Sequence, residues 1–193
     1  MKGKNFSCNN SGKRRKSDFY VTPYSLTRLL LDDVSLGEPI LEPSEGNGAI
    51  TKVLKEYGHH SVVGQDINTT GHDFLNEQHK YHTIITNPPY SLAFQFIQKA
   101  KQISEEFYFL LPLSYLHGKQ RFDHIYQDTM FPLESVRLFT RYPLLTGPED
   151  TREDGKFQTG MVVYAWYHWQ KGYIGEPVIK WLDNNEFVVK KGE

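Results

Sequence analysis

Asn87-Pro88-Pro89-Tyr90 brings together groups that can act on an aromatic amino nitrogen. The string directly follows Tyr81-His82-Thr83-Ile84-Ile85-Thr86, which reads as a strand, and in open α/β sheets ligands bind beyond the carboxyl ends of strands. Two prolines fix φ and push the preceding residues toward extended conformations, giving a stiff loop with unpaired carbonyls. The Asn87 side-chain oxygen and the Pro88 carbonyl can then accept both hydrogens of an amino group. Such a nitrogen is a poor nucleophile because its lone pair is delocalised into the ring. Held by two acceptors, it favours a tetrahedral form with the lone pair aimed at an electrophile. Tyr90 would stack on a base turned out of its helix and hold its plane, and no metal or covalent step is required. Asn and Pro are also ordinary turn residues, so the chemistry depends on the surroundings.

Those surroundings begin with Leu41-Glu42-Pro43-Ser44-Glu45-Gly46-Asn47-Gly48, a strand end, a glycine turn and then a helix. Gly46 and Gly48 permit close approach of backbone to ligand, but no third glycine completes a dinucleotide fingerprint, which disfavours a nicotinamide cofactor. S-adenosylmethionine carries an ammonium and a sulfonium but no pyrophosphate, so a turn bearing Glu42 and Glu45 suits it better. Asp66 ends the next strand, where an acid can accept bonds from ribose hydroxyls, and Ile67 beside it joins the expected cofactor-binding set. Asp73-Phe74 can bond an adenine amino group and pack on its ring. The same pair reads equally well as a turn acid beside a core phenylalanine.

Taken in order, Phe19-Tyr20-Val21-Thr22-Pro23, residues 42–48, Asp66, Asp73-Phe74 and Asn87-Pro88-Pro89-Tyr90 resemble the motif series of the amino-directed, N6-adenine type DNA methyltransferases. These are class I S-adenosylmethionine-dependent enzymes with a Rossmann-like domain, and the resemblance runs over residues 18–169. It implies that Tyr20, Thr22 and Pro23 contact the cofactor's methionine end, and that Glu42, Pro43, Gly46 and Gly48 wrap it. Asp66 and Asp73, the latter with Phe74, would hold ribose and adenine. Asn87, Pro88, Pro89 and Tyr90 would grip the target amino group, with Asn87 also bordering the cofactor. The implied activity is adenine-specific DNA methylation by base flipping and direct transfer. Read by themselves, Thr22 and Pro23 are a helix-start signal, Thr at the cap and Pro in the first turn, and both readings can hold. Adenine N6 in RNA and the amide nitrogen of a protein glutamine pose the same poor-nucleophile problem and stay open. So does a non-catalytic binding subunit of methyltransferase fold, although no motif is damaged. The Phe-Tyr-x-Thr-Pro element inclines the reading to DNA, and Asn rather than Ser before the prolines disfavours cytosine N4.

The elements that must position these groups alternate as a βαβ succession, predicting an α/β fold with a mostly parallel sheet. Strands are expected at 39–42, 61–67, 81–86, 107–111 and 135–140, and helices over 49–57, stopped by Gly58, 92–103 and 115–126, with another from Leu26. The run 160–169 alternates aromatics and aliphatics and reads as an antiparallel edge hairpin. Short terminal strands are expected at 178–182 and 187–189. Residues 141–157 exceed the usual connection length and read as a mobile functional loop. Phe157 at its end is a candidate opposite wall for a base pocket, though such aromatics more often anchor cores.

Composition sets the remaining bounds. At 193 residues with 38% hydrophobic content, one domain is expected over 18–193, preceded by a basic, disordered arm over 1–17. Net charge is −1, yet Lys2, Lys4, Lys13, Arg14, Arg15 and Lys16 all precede the first acid, leaving about −7 for the rest. The arm suits phosphates, and it suits equally a solvated tail. A single cysteine, Cys8, and no apolar span of bilayer length point to a soluble, cytoplasmic protein without disulfides. His59, His60, His79, His82 and His117 lack a metal-ligand spacing, so no metal is expected. No segment is long enough for a large target-recognition region. DNA, more than RNA, is therefore expected to be held chiefly through phosphates, with Lys119 and Arg121 as candidates.

Overall fold

The computed structural model describes residues 20–143, 145 and 156–189. Its centre is a seven-stranded sheet of order β2-β1-β3-β4-β6-β5-β7, comprising β1 (Ile40–Glu42), β2 (Val62–Gly64), β3 (Thr83–Thr86), β4 (Glu106–Pro112), β5 (Leu133–Phe139), β6 (Tyr164–Gln170) and β7 (Val178–Leu182). Pairing is parallel from β2 through β4 and between β5 and β7, while β6 runs antiparallel to both its neighbours. The chain leaves β1 for β2 on one side and returns to β3 on the other. That reversal opens a crevice beyond the carboxyl ends of β1 and β3. The arm (1–17), Phe19 and most of the 141–157 connection lie outside the described residues.

Two helices cover one face and a third the other. α1 (Tyr24–Asp33) buries Leu26 and Leu30, one turn apart, and Trp166 of β6 donates its indole N–H to the Leu26 carbonyl at 2.9 Å. Pro23 occupies the cap itself, one residue later than the sequence places the cap, and Thr22 is buried before it. α2 (Ala49–Glu56) packs beside α1 and ends in a Schellman turn: Gly58, at φ +86°, and His59 donate to the carbonyls of Lys55 and Leu54. α3 (Ala93–Ile103) buries Phe96, Ile97 and Ala100 on the opposite face. Among the described residues, no helix is long and apolar enough to cross a membrane.

Three expectations need correction. The aromatic strand β6 is not at the edge but lies between β4 and β5, with Tyr164 through Trp169 all buried. A strand apolar on both faces is satisfied only where both faces are covered and both edges paired. The helix expected over 115–126 is broken into a 3₁₀ turn (Leu113–Leu116), α4 (Lys119–Arg121) and a π turn (Phe122–Tyr126), because Gly118 at φ +123° interrupts it. In place of a strand at 187–189 there is a 3₁₀ turn (Asn185–Phe187) and a single bridge from Val188 to Phe157.

The α1 face also buries a charged cluster. His168 points its two ring nitrogens at Glu106 (2.9 Å) and Glu134 (2.8 Å) and stacks on Tyr108 with ring centres 4.0 Å apart. Burial alone would raise the Glu106 carboxyl, but hydrogen bonds from His168 and Thr83 bring it below the usual range. Glu134, bonded by His168, is held at about 2. Carboxyls depressed in the folded state stabilise it above their ordinary value, and that contribution is lost as pH falls toward about 2. His168→Ala is expected to cost about 1–3 kcal/mol near neutral pH by removing the partner that Glu106 and Glu134 share, although Thr83 and Tyr108 still bond Glu106 and Arg137 stays near Glu134. The deficit should narrow toward about pH 3, where wild type has lost most of the same contribution. Denaturant unfolding of both proteins at the two pH values checks this; a constant difference would mean the cluster is not titrating.

Candidate active site

The crevice is a cleft of about 280 Å³ at the carboxyl ends of β1, β2 and β3. Its floor is the β1 exit turn, residues 43–47. Gly46 (φ +55°) and Gly48 (φ +79°) adopt left-handed conformations costly to any residue with a β-carbon. Backbone bonds zip this turn to the β2 exit: Gln65 N–H donates to Glu42 (2.8 Å) and Glu45 N–H to Gln65 (2.9 Å). Gly46 N–H reaches the Asp66 carboxylate at 3.2 Å, while the other Asp66 oxygen accepts from Asn68 and Thr69. The Glu45 side chain lies across Gly64, where an added β-carbon would fall 2.1 Å from its carboxyl. Further along the wall, Asp73 caps the turn Phe74–Asn76 by accepting from Leu75 N–H at 3.0 Å, and the Phe74 ring packs on Phe96 with centres 4.7 Å apart.

Glu42 sits directly behind the floor and is 1% exposed. Its Oε1 accepts from Ser44 N–H (2.9 Å) and the Thr86 hydroxyl (2.5 Å), whereas Oε2 is buried without a partner among the described residues. Burial pushes this carboxyl up to about 8; the two hydrogen bonds oppose the rise, and the Glu45 and Asp66 carboxylates add to it. A buried acid with an unused oxygen beside two more acids suits a cationic ligand and repels a polyphosphate.

Asn87 lines the same cleft, just past β3. Its Nδ2 donates to the Tyr20 carbonyl at 3.1 Å, and since a carbonyl only accepts, this fixes which end of the amide is which. Oδ1 accordingly accepts from the Tyr90 hydroxyl at 2.9 Å. The Tyr90 ring stacks with both Tyr20 and Tyr164, each 5.9 Å between centres.

Of the residues proposed for catalysis or cofactor binding, Tyr20, Thr22, Pro43, Gly46, Asp66, Ile67, Asp73, Phe74, Asn87 and Pro89 line one cleft, and the acid Glu45 of the same turn lines it too. Glu42, Gly48, Pro23, Pro88 and Tyr90 stand beside or behind that lining. Phe157 does not reach it: the ring is 3% exposed in the α1-face core, so it is a core anchor and not a pocket wall. Lys119 and Arg121 lie on the segment after β4. Asn68, His72, Ser91, Leu92 and Phe96 line the cleft without having been anticipated. Leu92 and Phe96, one helical turn apart, carried a legible signal; His72 carried none.

No family model and no curated protein matches the chain. Solved structures do. A candidate RNA methyltransferase from Pyrococcus horikoshii is 16% identical, with 80% of this chain and 88% of that one aligned at a TM-score of 0.57. The modification subunit of a candidate type I restriction enzyme from Vibrio vulnificus YJ016 is 14% identical over 91% of this chain and 48% of that one, with a TM-score of 0.56. Magnesium protoporphyrin IX methyltransferase from Synechocystis PCC 6803, crystallised with S-adenosylmethionine, is 14% identical over 76% of each chain, with a TM-score of 0.50. The fold is thus the Rossmann-like fold of class I methyltransferases.

Proposed function

We propose that this chain binds S-adenosylmethionine in the cleft and transfers its methyl group to the exocyclic N6 amino group of adenine in DNA. The carrying observation is the Asn87 amide, whose oxygen has a fixed orientation at the switch point of a methyltransferase fold, in the same cleft as an acidic floor that suits a cation. The residues present fit the cofactor. Glu42 Oε2 is a buried acceptor without a partner among the described residues, behind the floor, which a cation bound at the floor would satisfy, the Gly46–Gly48 turn gives close backbone approach, and Asp66 keeps acceptor capacity for a ribose diol. Asp73, Ile67 and Phe74 suit an adenine ring, and Tyr20 and Thr22 close the methionine end.

The cofactor, when bound, supplies an electrophilic methyl on a sulfonium. Asn87 Oδ1 and the Pro88 carbonyl accept the two amino hydrogens of the target, favouring a tetrahedral nitrogen whose lone pair is localised on it instead of shared with the ring. Tyr90, whose ring now stacks with Tyr20 and Tyr164, holds the flipped base when the base takes the place of one of those rings. The Tyr90 hydroxyl now on Oδ1 is exchanged for a substrate N–H, one hydrogen bond for another. The extra proton on the methylated nitrogen leaves to water.

RNA is the second reading. It is supported by the 88% coverage of the compact candidate RNA methyltransferase, against 48% of the restriction-system subunit. Methyl-labelled S-adenosylmethionine offered with duplex DNA, single-stranded DNA, total RNA and protein extract, followed by mass spectrometry, decides between them. N6-methyladenine in DNA is expected; label only in RNA or in glutamine would replace the substrate, and no label anywhere would leave a non-catalytic binding protein.

A further inference from the structure

The segment after β4 carries two cations in different settings. The Lys119 ammonium, 82% exposed, is bound by both carboxylate oxygens of Asp123, at 2.5 and 2.7 Å. Arg121 has no carboxylate partner among the described residues. Its Nε donates to the His117 carbonyl at 2.8 Å, and its guanidinium carbon lies 4.5 Å from the centre of the Tyr115 ring. The room for that placement comes from Gly118, where a β-carbon would fall 3.0 Å from Nη2. The arginine is therefore locked before any ligand arrives: one nitrogen is tied, the plane rests on an aromatic face, and the amino ends of the fork are held in a set direction.

The platform beneath it is rigid and neutral. Tyr126 donates to the Tyr115 carbonyl at 2.9 Å and Tyr167 to the Pro112 carbonyl at 3.1 Å. Burial pushes the Tyr115 phenol up to about 12. Phe122, the next residue after Arg121, is 51% exposed and carries the Lys119 ammonium 5.8 Å from its ring centre, so that cation is engaged by the ring as well as by Asp123. The platform is also coupled to the site: Leu113 N–H donates to Val163 at 2.8 Å, and the next residue, Tyr164, stacks with Tyr90. A planar, preorganised guanidinium at the same end of the sheet as a nucleobase grip matches a sugar–phosphate backbone.

We propose that Arg121, and not Lys119, is the phosphate anchor for the DNA strand carrying the target adenine; the proposal rests on the methyltransferase reading above. Binding of a short, fluorescently labelled, adenine-containing DNA oligonucleotide is to be measured across a salt series. Arg121→Gln should flatten the slope of log affinity against log salt by about 0.7–0.9, the share of one phosphate contact, and weaken binding about tenfold at low salt. Arg121→Lys should keep the slope but lose about threefold in affinity, since the charge remains and the fork does not. Lys119→Gln should leave the slope unchanged; cofactor affinity should be unchanged in all three, and each should melt cooperatively within about 5 °C of wild type, the small loss expected from a partly exposed contact. Arg121→Gln with the wild-type slope, or Lys119→Gln with an equal loss, overturns the anchor. An oligoribonucleotide of the same sequence bound more tightly than DNA overturns its DNA assignment. Wild-type protein that binds neither, while methylating protein, overturns the reading beneath it.

Discussion

Asn87→Ala is expected to lower single-turnover methyl transfer by about 10²–10³-fold, the usual cost of deleting one preorganised group at a reacting centre, while changing cofactor affinity by no more than about threefold. The asymmetry follows from the geometry. Asn87 touches the Tyr20 carbonyl and the Tyr90 hydroxyl, whereas the acidic floor that suits the cofactor belongs to the β1 and β2 exits. Asn87→Asp separates the two jobs of the amide. Its carboxylate can still accept amino hydrogens, but it sets an acceptor against the Tyr20 carbonyl where Nδ2 donated. It should therefore retain more activity than alanine and shift toward a higher KM. Rapid-quench transfer rates paired with calorimetric cofactor binding give both numbers. A near-normal rate for Asn87→Ala would sink the proposed grip, and an equal loss of rate and cofactor affinity would move Asn87 into the cofactor site.

How far the sequence reached depended on whether a residue's role is local. Gly46 and Gly48 were legible because a turn at a strand end needs left-handed φ, and the structure gives both positive φ. The cleft gathers ten of the residues proposed for catalysis or cofactor binding because each follows a strand of the parallel half, or precedes α1, and topology carries such positions to one end of the sheet. What was not legible depends on distant partners. β6 reads as an edge until one sees that β4 and β5 close on it from both sides, 62 residues separating His168 from Glu106. Phe157 reads as a pocket wall until Phe187 and Val188 fold over it. Glu42 was noted as one acid among several. Its distinguishing property, an oxygen with no partner, arises from Thr86, which lies 44 residues away and occupies only the other oxygen.

That property yields the second large effect. With its carboxyl raised from 4.5 to about 8, Glu42 keeps its proton in the ligand-free protein at neutral pH. A folded-state value above the unfolded one means the folded protein binds more protons between those limits, so this group makes the fold less stable as pH rises through them. A cation placed on Oε2 reverses the balance by favouring the carboxylate. S-adenosylmethionine binding near pH 7 is therefore expected to release up to about one proton, and affinity should rise with pH toward about 8, beyond which the ligand's own α-ammonium loses its proton. Glu42→Gln keeps an acceptor for Ser44 and Thr86 but cannot ionise. It should abolish the proton release, weaken cofactor binding by about 10–100-fold at pH 8, in line with losing a charge-assisted bond, and stabilise the ligand-free protein there. Calorimetry in two buffers of different ionisation enthalpy counts the protons. If wild type releases none and Glu42→Gln binds normally, Glu42 is only a brace between Ser44 and Thr86. If the variant binds weakly without any change in proton count, the ammonium is held elsewhere, and Glu45 or Asp66 becomes the group to test.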